Sequence, residues 1–378
     1  MNMIKAQVLT IGTEITSGEI VNSNASWVSL RLEEMGARVF SHLSVRDRRE
    51  EILGALRLLQ DCDLLVVTGG LGPTSDDLTR ECVAAHFGRE LEFDEAVWAA
   101  LVNAHRERGL TPREAHRHQC HFPAGSERLD NPVGTALGFY LQPSAGLRVF
   151  VLPGPPGELQ GMWRVGVEPR LGRILPSAEG RWKHWTCLGA PESEVAEFVE
   201  AELSGLNVEI GYRAHMPYVR VKVYVDPVRE SEVVARVERA LGPLVVARDK
   251  EDLAQELLRN WPSPELRIAD QVTELNLTTR LFEARRELAR AGEFAPEVRS
   301  AISPEAEVSA EAGILLRAVG EGMRISLRLP EGALDREQIL PYGLKLSFER
   351  GRRSAAEWAL WHCVKILRAR SSQSATSA

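Results

Sequence analysis

Three glycine-punctuated stretches carry residues that could hold a phosphate. They are GTEITSG from Gly12 to Gly18, GGLGPTSDD from Gly69 to Asp77, and LPGPPGE from Leu152 to Glu158. Gly69, Gly70 and Gly72 let the backbone approach an anion closely, and Thr74 and Ser75 add hydroxyls that can bond the anion or cap a following helix. Gly12, Thr13 and Gly154 offer similar contacts from the flanking stretches. A fourth turn, NPVGTALGF, presents Asn131, Gly134 and Thr135. Asp76 and Asp77 fit a phosphate loop only if a divalent cation stands between them and the anion, because bare carboxylates repel it. Glu14 and Glu158 would complete an all-oxygen shell with Asp76 and Asp77, which favours Mg²⁺ or Mn²⁺ over a thiolate-seeking ion. Such a metal polarises a phosphoryl group and acidifies a water, and Asp76, Asp77 and Glu158 become the expected catalytic acids. The bland alternative is that both aspartates only cap a helix and favour its dipole.

Other candidates are weaker. The run HRHQCH from His116 to His121 offers histidine and cysteine ligands, but its spacing matches no zinc pattern and it is read as solvated. Trp98, Trp163, Trp182 and Trp185 are read as packing residues. Five cysteines, odd in number and without a CxxC pair, argue against a disulfide framework.

At 378 residues the chain is long enough for two or three domains, and 44% hydrophobic with 26% charged residues describes a globular protein. A net charge of −7 provides no long-range attraction to polyanions, so no strong nucleic-acid signal emerges from the totals. No signal peptide or 18-residue apolar run is present, and the expectation is a cytoplasmic protein without membrane association.

The elements that must position the loops alternate. Residues 6–11, 37–43 and 63–68 read as strands, and helices are expected over 26–35, 51–59 and 78–86, which predicts a doubly wound, mostly parallel α/β sheet. Such sheets bind ligands where strands hand over to helices. Residues 89–130 read as polar and mainly helical, 135–141 and 147–152 as strands, and 169–179 as a linker. Beyond it, a helix over 193–203 and the alternating strand 218–225 suggest a small α+β module. From residue 249 helical patterns return, with a strand over 323–329, a last helix over 355–367, and a tail, SSQSATSA, read as lacking structure.

Taken together, GTEITSGEIVNSNA, VTGGLGPTSDD, NPVGTALGF and LPGPPGEL resemble the CinA (competence/damage-inducible protein A) family, whose first domain has the molybdopterin-binding fold of molybdenum-cofactor biosynthesis proteins. The resemblance divides the chain into that fold over 1–170, a KH-like module over 180–248, carried by LGAPESEVAEFVE and VEIGYRAHMPYVRVKV, and a C-terminal α/β domain over 250–370. It implies hydrolysis of ADP-ribose to AMP and ribose 5-phosphate with a divalent cation (Mg, Mn or Co). Gly69, Gly70, Gly72, Thr74, Asp76 and Asp77 would then hold phosphate and metal, Glu158 would assist, and the protein would be a homodimer. Family relatives use the same loops for a pterin phosphate, so a module that binds a nucleotide or pterin phosphate without turnover is the alternative. A third reading, an interaction protein in competence or DNA damage, rests on the family name. No GXXG clamp for RNA is evident.

The C-terminal domain departs from its resemblance to a nicotinamide mononucleotide deamidase. The AESCTGG nucleophile motif is matched only by RIADQVTELNLTTRL, with Thr273 expected at the nucleophile position and the paired glycines replaced. The later TGIAGP loop is missing, the chain reading ISLRLPEGALD there. The expectation is a deamidase-like fold without that activity, serving dimerisation or regulation.

Overall fold

The computed structural model describes residues 4–59, 61–107, 109, 111–175, 180–301, 313–330, 332–341 and 344–376. The chain divides into two compact units, Met1–Arg181 and Trp182–Ala378.

The first unit runs β1 (Ile4–Ile11), α1 (Thr13–Thr16), α2 (Ser23–Glu34), β2 (Ala37–Val45), α3 (Arg49–Leu58), β3 (Leu64–Thr68), α4 (Thr79–His86), β4 (Leu91–Phe93), α5 (Glu95–Glu107), β5 (His121–Pro123), β6 (Glu127–Leu129), β7 (Gly138–Leu141), β8 (Arg148–Leu152), α6 (Pro156–Met162) and α7 (Glu168–Ile174). Six strands form one sheet in the order β2-β1-β3-β8-β7-β6. The first four are parallel, and β7 and β6 are antiparallel. Apolar residues of β3 alternate between two cores. Leu65 and Val67 pack with Ile52, Leu56 and Val83 of α3 and α4, whereas Leu64 and Val66 pack with Val28, Leu32 and Leu159 of α2 and α6. Helices on both faces explain why every residue of LLVVT is buried and why it reads as an unbroken apolar run. The order reverses between β1 and β3, so the loops after these strands diverge to opposite sides and leave a crevice.

The second unit runs β9 (Arg181–Leu188), α8 (Glu192–Leu203), β10 (Ile210–His215), β11 (Tyr218–Val225), α9 (Glu230–Leu241), β12 (Val245–Arg248), α10 (Leu253–Arg259), β13 (Glu265–Asp270), α11 (Asn276–Arg290), β14 (Glu297–Ala301), β15 (Gly313–Val319), β16 (Gly322–Leu329), β17 (Gly332–Ile339) and α12 (Glu349–Thr376). One sheet, β10-β11-β9-β12, buries Val219, Val221, Val223 and Val225 against α8 and α9. The other, β14-β13-β15-β16-β17, packs on α10, α11 and α12. The two cores meet through Leu188 and Val246, which belong to the second, and through the Tyr218 hydroxyl, which donates to Glu357 at 2.5 Å. Arg280 completes this partly buried polar link by bonding Glu357 and Asp252.

Four expectations need correction. Residues 89–130 hold the short strands β4, β5 and β6, which at three residues each show no period. Pro169 stands in the first turn of α7, where its missing N–H costs nothing, so 169–174 is helix rather than linker; 176–179 lie outside the described residues. The region after 249 contains five strands, not one. Helix α12 continues to Thr376, into the tail read as unstructured. Among the described residues, no helix is long and apolar enough to cross a membrane.

Candidate functional site

The carboxyl ends of β1, β3 and β8 lie side by side, with Thr10 opposite Thr68 and Thr68 opposite Leu152. Each hands over to one of the glycine-bearing loops. Buried polar side chains fasten the loops together: Asn24 Nδ2 donates to Gly154 O at 2.7 Å, Thr68 Oγ1 to Pro153 O at 2.8 Å, and Thr79 Oγ1 to Gly69 O at 2.8 Å. Gly69 has φ of +100°, and a Cβ there would stand 2.0 Å from Ile11 O, so only glycine lets the β1 and β3 loops touch.

The loops enclose a cleft of about 420 Å³. Of the residues singled out by sequence, Gly12, Glu14, Gly69, Gly70, Gly72, Thr74, Asp76, Asp77, Thr135, Gly154 and Glu158 line it; Thr13, Ser75, Asn131 and Gly134 do not. Two further polar residues do, Asp47 and Gln119. Asp47 follows the end of β2, and its position just past a strand was the available signal. Its carboxylate accepts from the Thr13 backbone N–H at 2.7 Å and the Thr13 hydroxyl at 2.9 Å, which turns Thr13 away from ligand duty. Gln119 lies in the HRHQCH run, a 3₁₀ helix over Glu114–Cys120. There His116 Nδ1 accepts from Arg113 N, and the His116 ring meets His105 edge to face.

Asp77 does not play the expected part. Its oxygens accept from Gly72 N at 2.7 Å, Thr74 N at 2.9 Å and the Thr74 hydroxyl at 2.5 Å, so it clamps the glycine loop from within instead of standing free as a metal ligand. It also occupies loop N–H groups expected to cradle phosphate. Neither Thr74 nor Ser75 caps α4, whose N-terminus at Leu78 has no side-chain cap. The Thr74 hydroxyl can rotate between the two acids, and turned toward Asp76 it joins that residue's own backbone N–H in holding Asp76 below the usual carboxylate range.

Glu158 is placed from two sides. Asn131 Nδ2 donates to its Oε2 at 2.7 Å, and Gly134 makes room for it, since a Cβ there would stand 2.4 Å from Glu158 Cδ. Asn131 Oδ1 in turn accepts from Val133 N and Gly134 N, so one side chain shapes the turn and aims the acid.

The electrostatics are one-sided. Glu14, Asp47, Asp76, Asp77 and Glu158 all line the cleft, and no lysine, arginine or histidine is among its lining residues. One positive charge lies beneath the floor. Arg80, 3% exposed, donates to Leu71 O and Leu137 O, both at 3.0 Å, and burial pushes its pKa down to about 10 against the opposing pull of Asp77. An anion entering among five carboxylates needs a cation with it. The oxygens of Glu14, Asp47, Asp76 and Glu158 are a hard donor set suited to a divalent ion. Among the described residues no three acids, histidines or cysteines converge on one point, so a four-acid shell is not preformed.

In the second unit, Thr273 is no nucleophile. It is fully buried, its hydroxyl donates to Asp270 and accepts from Leu277 N at 3.1 Å, and it thereby fastens the start of α11. Written against AESCTGG, Ala269–Leu275 (ADQVTEL) places Gln271 and Val272 at the serine and cysteine. Glu274 and Leu275 take the two glycine positions and have φ of +48° and +71°. The turn keeps a glycine conformation after losing its glycines.

Residues 7–173 match the family model described as a probable molybdopterin binding domain. A CinA-like protein of Escherichia coli is 30% identical over 372 residues, 94% of this chain and 90% of that protein. A CinA-like protein of Synechococcus sp. is 34% identical over 67% of this chain. In the first curated relatives the matched part spans less than two thirds of their length: 63%, 62% and 48%. Among solved structures, the protein CinA with unknown function from Thermoplasma acidophilum is 34% identical, with 45% of this chain and 99% of that one covered at a TM-score of 0.41.

Proposed function

The chain belongs to the CinA-like protein family, and from that premise we propose that its first domain binds a nucleotide diphosphate, ADP-ribose being the reference case, and hydrolyses its pyrophosphate bond with a divalent cation. The observation that carries this reading is the cleft's charge: five acids and no base around a glycine loop at a sheet switch point. A bound ion would neutralise the diphosphate and acidify a water. Glu14, Asp76 and Glu158, with Asp47, would hold it.

The chain's own contribution is placement. The N–H groups of Gly12, Gly69, Gly72 and Thr74 are taken up within the protein, so the phosphates would be held through the cation, while Asp77 keeps the main loop in shape and Asn131 with Gly134 keeps Glu158 at the mouth, where it orients a water. The test is incubation with ADP-ribose and Mg²⁺, Mn²⁺ or Co²⁺, with products identified by mass. AMP and ribose 5-phosphate are expected. Binding without turnover is the second reading, favoured by the absence of a preformed three-acid cluster among the described residues; it predicts saturable binding and no AMP.

For the second unit the reading is a deamidase-like fold without deamidase activity, supported by Gln271 at the motif's serine position and by buried Thr273. Ammonia release from nicotinamide mononucleotide would contradict it.

A further inference from the structure

The sheet β10-β11-β9-β12 has a second face. Its inner face carries the buried valines of β11, and helices α8 and α9 cover it. On the outer face the ladder of β10 and β11 sets Arg213 directly opposite Arg220 and Gly211 opposite Lys222. Arg213, Arg220 and Lys222 are exposed. Like charges directly opposite each other across a ladder destabilise a sheet, so packing gives no reason for this pair.

The neighbouring strand adds to the face. Lys222 Nζ lies 4.1 Å from the centre of the Trp182 ring, and Trp182 meets Tyr224 edge to face at 5.5 Å. His184 of β9 shares the face. Burial lowers its pKa, Asp249 opposes this, and the charges of Arg220 and Lys222 on the neighbouring β11 add to the lowering. Two acids border this side: Glu209, whose backbone O accepts from Tyr224 N at one end, and Asp249, whose carboxylate accepts from His184 N and lies 3.9 Å from the His184 ring. The β12 side of the same face, at Leu188 and Val246, and the first residue of β11, Tyr218, are covered by the core of the C-terminal sheet. What stays open is a strip of β10, β11 and the start of β9: three cations, a histidine paired with Asp249, and two half-buried aromatic rings, in a chain of net charge −7.

We propose that this strip is a docking surface for single-stranded nucleic acid. The charge calls for a polyanion, and the rings select among polyanions, because bases stack on tryptophan and tyrosine whereas a bare polyphosphate has nothing to stack. The strand lies along the sheet, its phosphates reaching Arg213, Arg220 and Lys222, with bases toward Trp182 and Tyr224. This surface shares no residue with the cleft and uses no GXXG clamp. The total charge hid it, since the glutamates of α8 lie on the other side of the sheet.

The test is fluorescence anisotropy of the full chain with a labelled oligothymidine of about 20 nucleotides, across salt concentrations. Three phosphate contacts predict a log–log salt slope of about −2. R213E/R220E should weaken binding at least about tenfold at about 50 mM salt and flatten the slope by about 1.4. R213E alone replaces a repulsive cross-strand pair with an attractive one, so it should raise Tm while weakening binding, a combination that misfolding cannot produce. W182L should weaken oligothymidine binding and leave heparin binding unchanged. Oligothymidine binding that survives R213E/R220E, or equal loss of heparin and oligothymidine binding in W182L, overturns the proposal. So does a changed oligomeric state in R213E/R220E without loss of binding.

Discussion

The side-chain amide of Asn131 donates to Glu158 Oε2 at 2.7 Å and also to Ala136 O at 2.9 Å, so one residue ties the acid at the mouth of the cleft to the turn that leads into β7. The cleft's acids differ in how they are held, and each arrangement has its own consequence.

Replacing Glu158 by Gln keeps the Asn131 contact in a reoriented form and removes the charge. ADP-ribose hydrolysis is expected to fall by about 100-fold or more with Tm unchanged. N131A should lower the rate less, about tenfold, and also loosen the turn, since Val133 N and Gly134 N lose their acceptor. Steady-state rates and thermal melts of the two variants check the ranking.

Asp76 and Asp77, adjacent in sequence, should separate in function. D77N loses charge-assisted bonds from Gly72 N and Thr74 N and is expected to cost about 1.5–3 kcal/mol of stability. D76N, at an exposed position, should leave the urea midpoint in place and weaken divalent-ion affinity. Equal destabilisation by both would contradict the clamp assigned to Asp77.

The turn before α11 holds Glu274 and Leu275 at positive φ, where a side chain costs about 1–2 kcal/mol per residue. Leu275 is 39% exposed, so little packing is lost on truncation. L275G should therefore raise stability by about 1 kcal/mol, read from chemical denaturation. A loss of stability would show that the turn is not strained.

Burial lowers the pKa of His184 and of His362, the latter with Arg336 and Lys365 adding their charges. Below the ordinary value of 6.5 the unfolded chain takes up protons that the folded one refuses. Stability of the second unit is therefore full above about pH 7 and falls as pH drops through 6.5, by at most about 1.4 kcal/mol per pH unit for each histidine. H184N and H362N should flatten that slope in melts between about pH 7 and 5.

Much of the first unit was legible because its signals are local. A buried parallel strand such as LLVVT is apolar throughout, and each glycine loop follows one, so the strand ends and the cleft could be placed together. What was not legible depended on contacts between distant residues. Asp77 reads as a ligand until its bonds to Gly72 and Thr74 are seen, and Asp47 shows its part only when β2 lies beside β1. In the second unit β17, GALDREQI, is an edge strand exposed along nearly its whole length and has no apolar alternation to find. The Arg213–Arg220 pair depends on hairpin register, which residue spacing alone did not supply.

On the proposed reading, the acid-lined cleft turns over a diphosphate only with a cation to neutralise it. The most direct measurement is product analysis of ADP-ribose incubated with the intact protein, with and without divalent ions, for the parent and for E14Q, D76N and E158Q. AMP and ribose 5-phosphate are expected from the parent with metal, none after chelation, and a large loss in each variant. Undiminished hydrolysis after chelation, or the same rate in all three variants, would contradict it.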